Sequence, residues 1–74
     1  MTRKLRAMPT THYEITVGGR MSPALAAGFG GLRATPSGPN TVLHGELVDQ
    51  AALYGVLDRV ESLGLELIDV HRRP

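Results

Sequence analysis

Asp49 and Gly64 mark the two ends of a helix, and everything else in the chain has to be arranged around it. Between them Ala52, Leu53, Val56, Leu57, Val60 and Leu63 fall in one arc at about 100° per residue, the period of a helix with one buried face. Asp49 suits an N-cap, because its carboxylate can accept from first-turn amides and lies at the positive end of the helix dipole. Gly64 can take the left-handed conformation that stops a helix, which lets Leu65 fold back on Val60. Val48 and Leu53 stand in the positions of a hydrophobic staple, while Ala52 leaves no capping box. No acid–base pair four apart supports this helix, so burial of its stripe must hold it, and Leu57→Asp is predicted to unfold the domain.

The surface that buries the stripe is read from runs of alternation. Tyr13, Ile15 and Val17 alternate with Glu14 and Thr16 and end at Gly18-Gly19, which predicts a half-buried strand. Ser22-Pro23 then supplies an N-cap and a first-turn proline for a short helix through Ala27, closed by Gly28, Gly30 and Gly31. A strand is expected from Leu32 to Thr35, a turn over Pro36-Ser37-Gly38-Pro39-Asn40 and a returning strand from Thr41 to Val48. Gly45 inside that strand signals a bulge or a close approach by the helix above it. The last strand covers Leu65 to Arg72, with Ile68 and Val70 facing the core and Leu67, Asp69 and His71 facing away. The alternative phase makes Leu67 the core residue, with a bulge before Ile68. The order β-α-β-β-α-β predicts an α+β, ferredoxin-like sandwich: a four-stranded antiparallel sheet with two helices on one face. Residues 1–11 are expected to form a disordered basic tail, with Met8 a possible native start, and residues 12–72 a single domain.

Size and charge narrow the function. A chain of 74 residues without cysteine has no disulfide or thiolate-bound zinc to reinforce a small core. Association of chains is the remaining common reinforcement, and a homodimer is expected. The longest uncharged, mostly apolar run, Ser22 to Leu32, is too short to span a membrane and is broken by glycines, and no apolar run follows the basic start. The expected location is the cytoplasm, with neither a secretory leader nor a membrane contact. The net charge of +1 hides a division: Arg3, Lys4 and Arg6 lie at one end and Arg72 and Arg73 at the other. Between Thr41 and Val70, Arg59 alone stands against Glu46, Asp49, Asp58, Glu61, Glu66 and Asp69. Nucleic-acid binding needs a positive face, which the ordered elements do not offer.

No reactive constellation emerges. Ser22, Ser37 and Ser62 are accounted for as cap, turn and helix-surface residues, and no base is placed beside any of them. The glycine cluster at Gly28–Gly31 follows a helix where a phosphate cradle would open one. Strand order separates His44 from His71 and brings His12 towards His71, and the pairs His44-x-Glu46 and Asp69-x-His71 are what strand alternation yields by itself. No catalytic residue, metal site or cofactor is predicted. The candidate interface residues are Val42, His44, Leu67 and His71 on the sheet face away from the helices, with Tyr54 and Gly55 on the long helix. An aromatic on a polar arc can anchor a partner, and a mid-helix glycine suits a close helix–helix approach.

The fragments Tyr13-Glu14-Ile15, Ser22-Pro23-Ala24-Leu25, Phe29-Gly30-Gly31-Leu32, Thr41-Val42-Leu43-His44-Gly45, the run Asp49 to Leu57 and Leu63-Gly64-Leu65-Glu66-Leu67 resemble short stand-alone proteins of actinobacterial type. The likeness covers about Tyr13 to Val70; those proteins are uncharacterised, so it implies no activity and transfers no site. The pattern T-V-L-x-G-x-L-x-D-Q is also similar to BON and ACT-like modules, which implies non-catalytic roles in membrane or protein contact and in small-ligand sensing, although fold does not carry function. The expectation is a protein-interaction or oligomerisation module, dimeric through the open sheet face or an edge strand. The alternative is an ACT-like ligand sensor with a site at a dimer seam near Gly18-Gly19 and the Gly28–Gly31 loop.

Overall fold

The alternating run around Ile15 becomes β1 (Thr11–Val17) in the computed structural model, which describes residues 10–73. The expected tail over residues 1–11 therefore lies outside the described residues up to Pro9, as does the Met8 start. Its last residue belongs to the fold, because Thr11 pairs with Leu47 and extends the strand. A loop leads to α1 (Pro23–Ala26), which tightens into a 3-10 turn at Ala27–Phe29. β2 (Arg33–Ser37), β3 (Asn40–Leu47), α2 (Gln50–Ser62) and β4 (Leu67–Arg73) follow. The sheet order is β2-β3-β1-β4 with every pair antiparallel, the arrangement expected of a ferredoxin-like sandwich.

Both helix caps form as their residues dictate. Ser22 Oγ accepts from Leu25 N at 3.2 Å and Asp49 Oδ1 from Ala52 N at 2.8 Å. Gly64, at φ 73°, closes α2: Leu65 N donates to Val60 O at 3.1 Å and Gly64 N to Glu61 O at 3.0 Å, both bonds of a Schellman motif. The staple does not close, and Val48 stays half exposed. The β2–β3 turn is tighter than the sequence suggests. Ser37 pairs with Asn40, leaving Gly38-Pro39 as a two-residue loop, and Pro36 is carried inside an edge strand, where a missing N–H is tolerated.

Ile15, Val17 and Leu43 from one face of the sheet meet Phe29, Leu32, Leu53 and Val60 in the core. Leu53 and Val60 are the stripe residues buried in it, and Leu57 is partly buried and packed against its margin. Gly45 marks a close approach, made by the loop after α1 instead of by a helix. A Cβ there would lie 3.0 Å from Leu32 Cδ2 and 3.3 Å from Gly31 O. Arg59 lies across the turn that ends α1, with its guanidinium 6.0 Å from the Phe29 ring centre and over Gly28, where a Cβ would be 2.7 Å from Nη2. Thr41 is buried, and its hydroxyl joins the β1–α1 loop to β3 by donating to Gly19 O at 2.8 Å and accepting from Met21 N at 3.2 Å.

The last strand combines the two phases: Val70, Asp69 and His71 face as in the first, and the bulge of the second is present but leaves Leu67 46% exposed instead of making it a core residue. Thr16 pairs with Asp69 and Val17 with Leu67, so Ile68 is an extra residue, a β-bulge. The bulge puts Leu67 on the same side as Val17, facing the helices, and leaves Asp69 and His71 on the open face with Thr16 and Glu14. Val70 packs against the core, whereas Ile68 is 47% exposed, contrary to the first phase.

Candidate functional site

Strand register arranges the open face in rows. Arg33, His44, Glu14 and His71 form one row across the four strands. Glu46, His12 and Arg73 form the row on one side of it, and Thr35, Val42, Thr16 and Asp69 the row on the other. All three histidines of the chain stand on this face. Glu14 separates His44 from His71, as the strand order requires. His12 does not approach His71 as a direct neighbour, because β4 sets Arg73 opposite it; its ring lies 6.4 Å from that of His44 instead. No group of three or more potential ligands is placed to hold a metal ion among the described residues.

The ionic cluster sits on β1 and β4. Arg73 Nη1 donates to Glu14 Oε2 at 2.6 Å, His71 Nε2 lies 2.9 Å from Glu14 Oε1, and His71 Nδ1 lies 2.8 Å from Asp69 Oδ2. The hydrogen bond from Arg73 chiefly lowers the Glu14 pKa below its ordinary value, with His71 adding to it. The hydrogen bond to Asp69 chiefly raises that of His71, and Glu14 reinforces the effect. All four groups remain open to water, so the cluster positions side chains more than it stabilises the fold. On the other half of the face, His44 Nε2 is 2.8 Å from Thr35 Oγ1 and Thr10 Oγ1 donates to Glu46 Oε1 at 2.8 Å. His12 Nε2 is buried without a hydrogen-bond partner among the described residues, beside a groove between the Thr10–His12 segment and Arg72-Arg73.

The six candidate interface residues fall in three places. Val42, His44 and His71 share the open face, with Val42 half-buried between Thr35 and Thr16. Tyr54, 56% exposed, and Gly55 lie on the outward side of α2, and a Cβ at Gly55 would meet nothing within 4 Å. No packing among the described residues accounts for that glycine. Leu67 leaves the open face altogether and lines a groove of about 310 Å³ with Leu57, Val60 and Leu65, bounded by Asp58 and Glu61.

That groove borders β4, an edge strand with no described neighbour on its outer side. Among the described residues the large apolar side chains left exposed are Val48, Tyr54, Leu63, Leu67 and Ile68; Leu63 ends α2, and Leu67 and Ile68 open β4. Sequence reasoning missed Leu63 and Ile68, whose apolar character had been assigned to the core. A second hollow, about 470 Å³, lies at the opposite edge, where Met21, Ala26, Leu32, Ala34 and Pro36 provide apolar walls and Arg20 a charge.

Among the described residues no helix is long and apolar enough to cross a membrane. A family model described as "Domain of unknown function (DUF8691)" matches residues 12–71. No curated protein and no solved structure matches the chain.

Proposed function

The chain belongs to the DUF8691 family, a domain of unknown function, and we propose that it is a non-enzymatic protein-interaction module that works as a homodimer. One observation carries this: β4 presents an open edge, and Leu67 and Ile68 of that strand are large apolar side chains left exposed. Natural sheets guard their edges, and here the other edge strand, β2, contains Pro36 and is the shorter of the two. Covering the β4 edge also answers a thermodynamic need, since among the described residues seven apolar side chains are buried, a small core. Two of the three serines have structural partners, Ser22 capping α1 and Ser62 donating to Arg59 O, and the buried Thr41 hydroxyl secures a loop. The polar, charge-checkered open face favours the edge over face-to-face sheet stacking. A chain without cysteine suits the reducing cytoplasm, where we place it.

Sedimentation equilibrium of the full chain tests the proposal. A species of twice the 7.9 kDa chain mass is expected at micromolar concentration, and a strict monomer up to millimolar refutes it.

The hollow beside Met21 supports a second reading, a small-ligand sensor of the ACT-like kind. Its apolar walls and the single charge of Arg20 suit a small molecule with an acidic group. A thermal-shift screen with amino acids and nucleotides tests it: stabilisation that Arg20→Ala removes supports the sensor, and no shift across the panel refutes it.

A further inference from the structure

An edge strand that binds its own copy must match itself under two-fold rotation, and β4 carries a charge order that does. In an antiparallel pair about a two-fold axis, residue numbers opposite each other add to a constant. That constant must be even if outward-pointing backbone groups are to face one another, so the axis passes through a residue.

An axis at Asp69 sets two aspartates face to face. One at His71 opposes two imidazoles and puts apolar Val70 against an arginine. One at Arg72 opposes two arginines and places each His71 against an Arg73. Among axes on the regular stretch Asp69–Arg73, beyond the bulge at Ile68, that at Val70 alone avoids every like-charge contact: Asp69 faces His71 twice, on the open side, and Val70 faces Val70 on the helix side. The bulge at Ile68 ends regular pairing on one flank, so Asp69–His71 forms the centre of the seam.

We infer that two copies join β4 to β4 antiparallel about a two-fold axis at Val70, forming one eight-stranded sheet whose seam is closed by Asp69 of each copy against the partner's His71. His71 already lies 2.8 Å from Asp69 and 2.9 Å from Glu14 in its own chain. In the dimer Asp69, the partner's His71, the partner's Asp69 and His71 form a ring of alternating charge. On the helix side the exposed Leu67 lies at one end of the seam, and the groove it lines with Leu57, Val60 and Leu65 and its counterpart in the other copy stand at opposite ends of the eight-stranded sheet's seam. Around His71 the other charged groups are Glu14 and His12 of β1 and Asp69 and Arg73 of β4, with α2 on the opposite face. The seam is therefore tightest when His71 is protonated, and it loosens as pH rises.

A β4 seam presupposes the self-association proposed above, and cross-linking separates the two. Because the chain has no cysteine, Val70→Cys and His71→Cys each provide a single thiol. On the axis, opposed Cα atoms lie about 4.5–5.5 Å apart, within disulfide reach. Two copies of position 71 are offset along the strands by two residues and lie at roughly 8 Å, beyond it.

Val70→Cys should form a covalent dimer within minutes of mild oxidation with diamide, and His71→Cys should not. As a second measurement, Asp69→His opposes imidazole to imidazole and should weaken the dimer at pH 6 by about tenfold or more. Adding His71→Asp to it restores opposite charges across the axis and should recover wild-type affinity. Far-UV circular dichroism checks that each variant is folded.

Faster cross-linking of His71→Cys, or no recovery in the double variant, overturns the axis. A dimeric wild type whose Val70→Cys form does not cross-link places the seam elsewhere and leaves self-association standing. A monomeric wild type removes both.

Discussion

Gly55→Ala should make this protein more stable. Gly55 lies in the interior of α2, five residues beyond the first helical position, and the helix there is regular. A Cβ would meet nothing within 4 Å, so the substitution has no steric cost in the isolated chain. Glycine is about 0.8–1.0 kcal/mol worse than alanine in a helix interior, chiefly because its unfolded backbone is freer. Nothing offsets that gain here, giving roughly 1 kcal/mol, which for a domain of this length raises the melting temperature by about 4–8 °C. The assay is thermal denaturation followed by circular dichroism at several protein concentrations. Concentration matters, because the glycine would also suit a helix–helix contact between copies. If alanine lowers the melting temperature, and more so at high concentration, the outward side of α2 is the interface and the β4 seam is wrong. If alanine raises it equally at all concentrations, Gly55 faces water in the dimer too.

Other substitutions examine the core, the loop tie and the ionic cluster. Val60→Ala removes two methyl groups from a side chain that is 2% exposed, at about 0.8 kcal/mol each plus a cavity cost, or roughly 2–3 kcal/mol by urea denaturation. Leu57→Ala, at the margin of the core, should cost less despite removing more atoms; the reverse order would refute the packing described. Thr41→Val leaves Gly19 O and Met21 N without their hydroxyl partner and should destabilise by about 1–3 kcal/mol, with faster amide exchange at Met21. For pH, His71 is raised above its ordinary 6.5, so its contribution is complete below 6.5 and is lost as pH climbs through the folded value. Glu14 is lowered below 4.5, so its contribution is complete above 4.5 and is lost as pH falls through the folded value. The cluster thus supports the fold fully between pH 4.5 and 6.5. An NMR titration should place the His71 midpoint above 6.5, and Asp69→Asn should bring it down; an unchanged midpoint would refute the Asp69 contact.

Much of this was legible because its causes are local. The Asp49 cap, the Gly64 stop and the Ile15 alternation each depend on a few neighbouring residues, and each formed as written. Leu67 shows where that ends. Its face depends on whether Ile68 is skipped in pairing with β1, a choice made some fifty residues away in sequence, so the residue moved from the proposed sheet surface into a groove beside α2. Gly45 was recognised as a close approach, but the neighbour came from a loop that has no periodicity to read. His71 was singled out, yet its partner Glu14 could be named only once the register was known. The open edge of β4 is a property of strand order alone, and no single residue announces it.

The strand order has a kinetic consequence. Only the β2–β3 hairpin joins elements adjacent in sequence; β1 must find β3 across an intervening helix, and β4 must then find β1 from the far end of the domain. Such distant pairings put loop-closure entropy ahead of their reward and slow folding relative to a helical bundle of the same size. During synthesis the hairpin and β1 can assemble while β4 is still in the ribosome, leaving the outer side of β1 exposed in the meantime. A nascent neighbour on the same message could supply its own β4 there, so the last strand to emerge is also the one most open to exchange between chains.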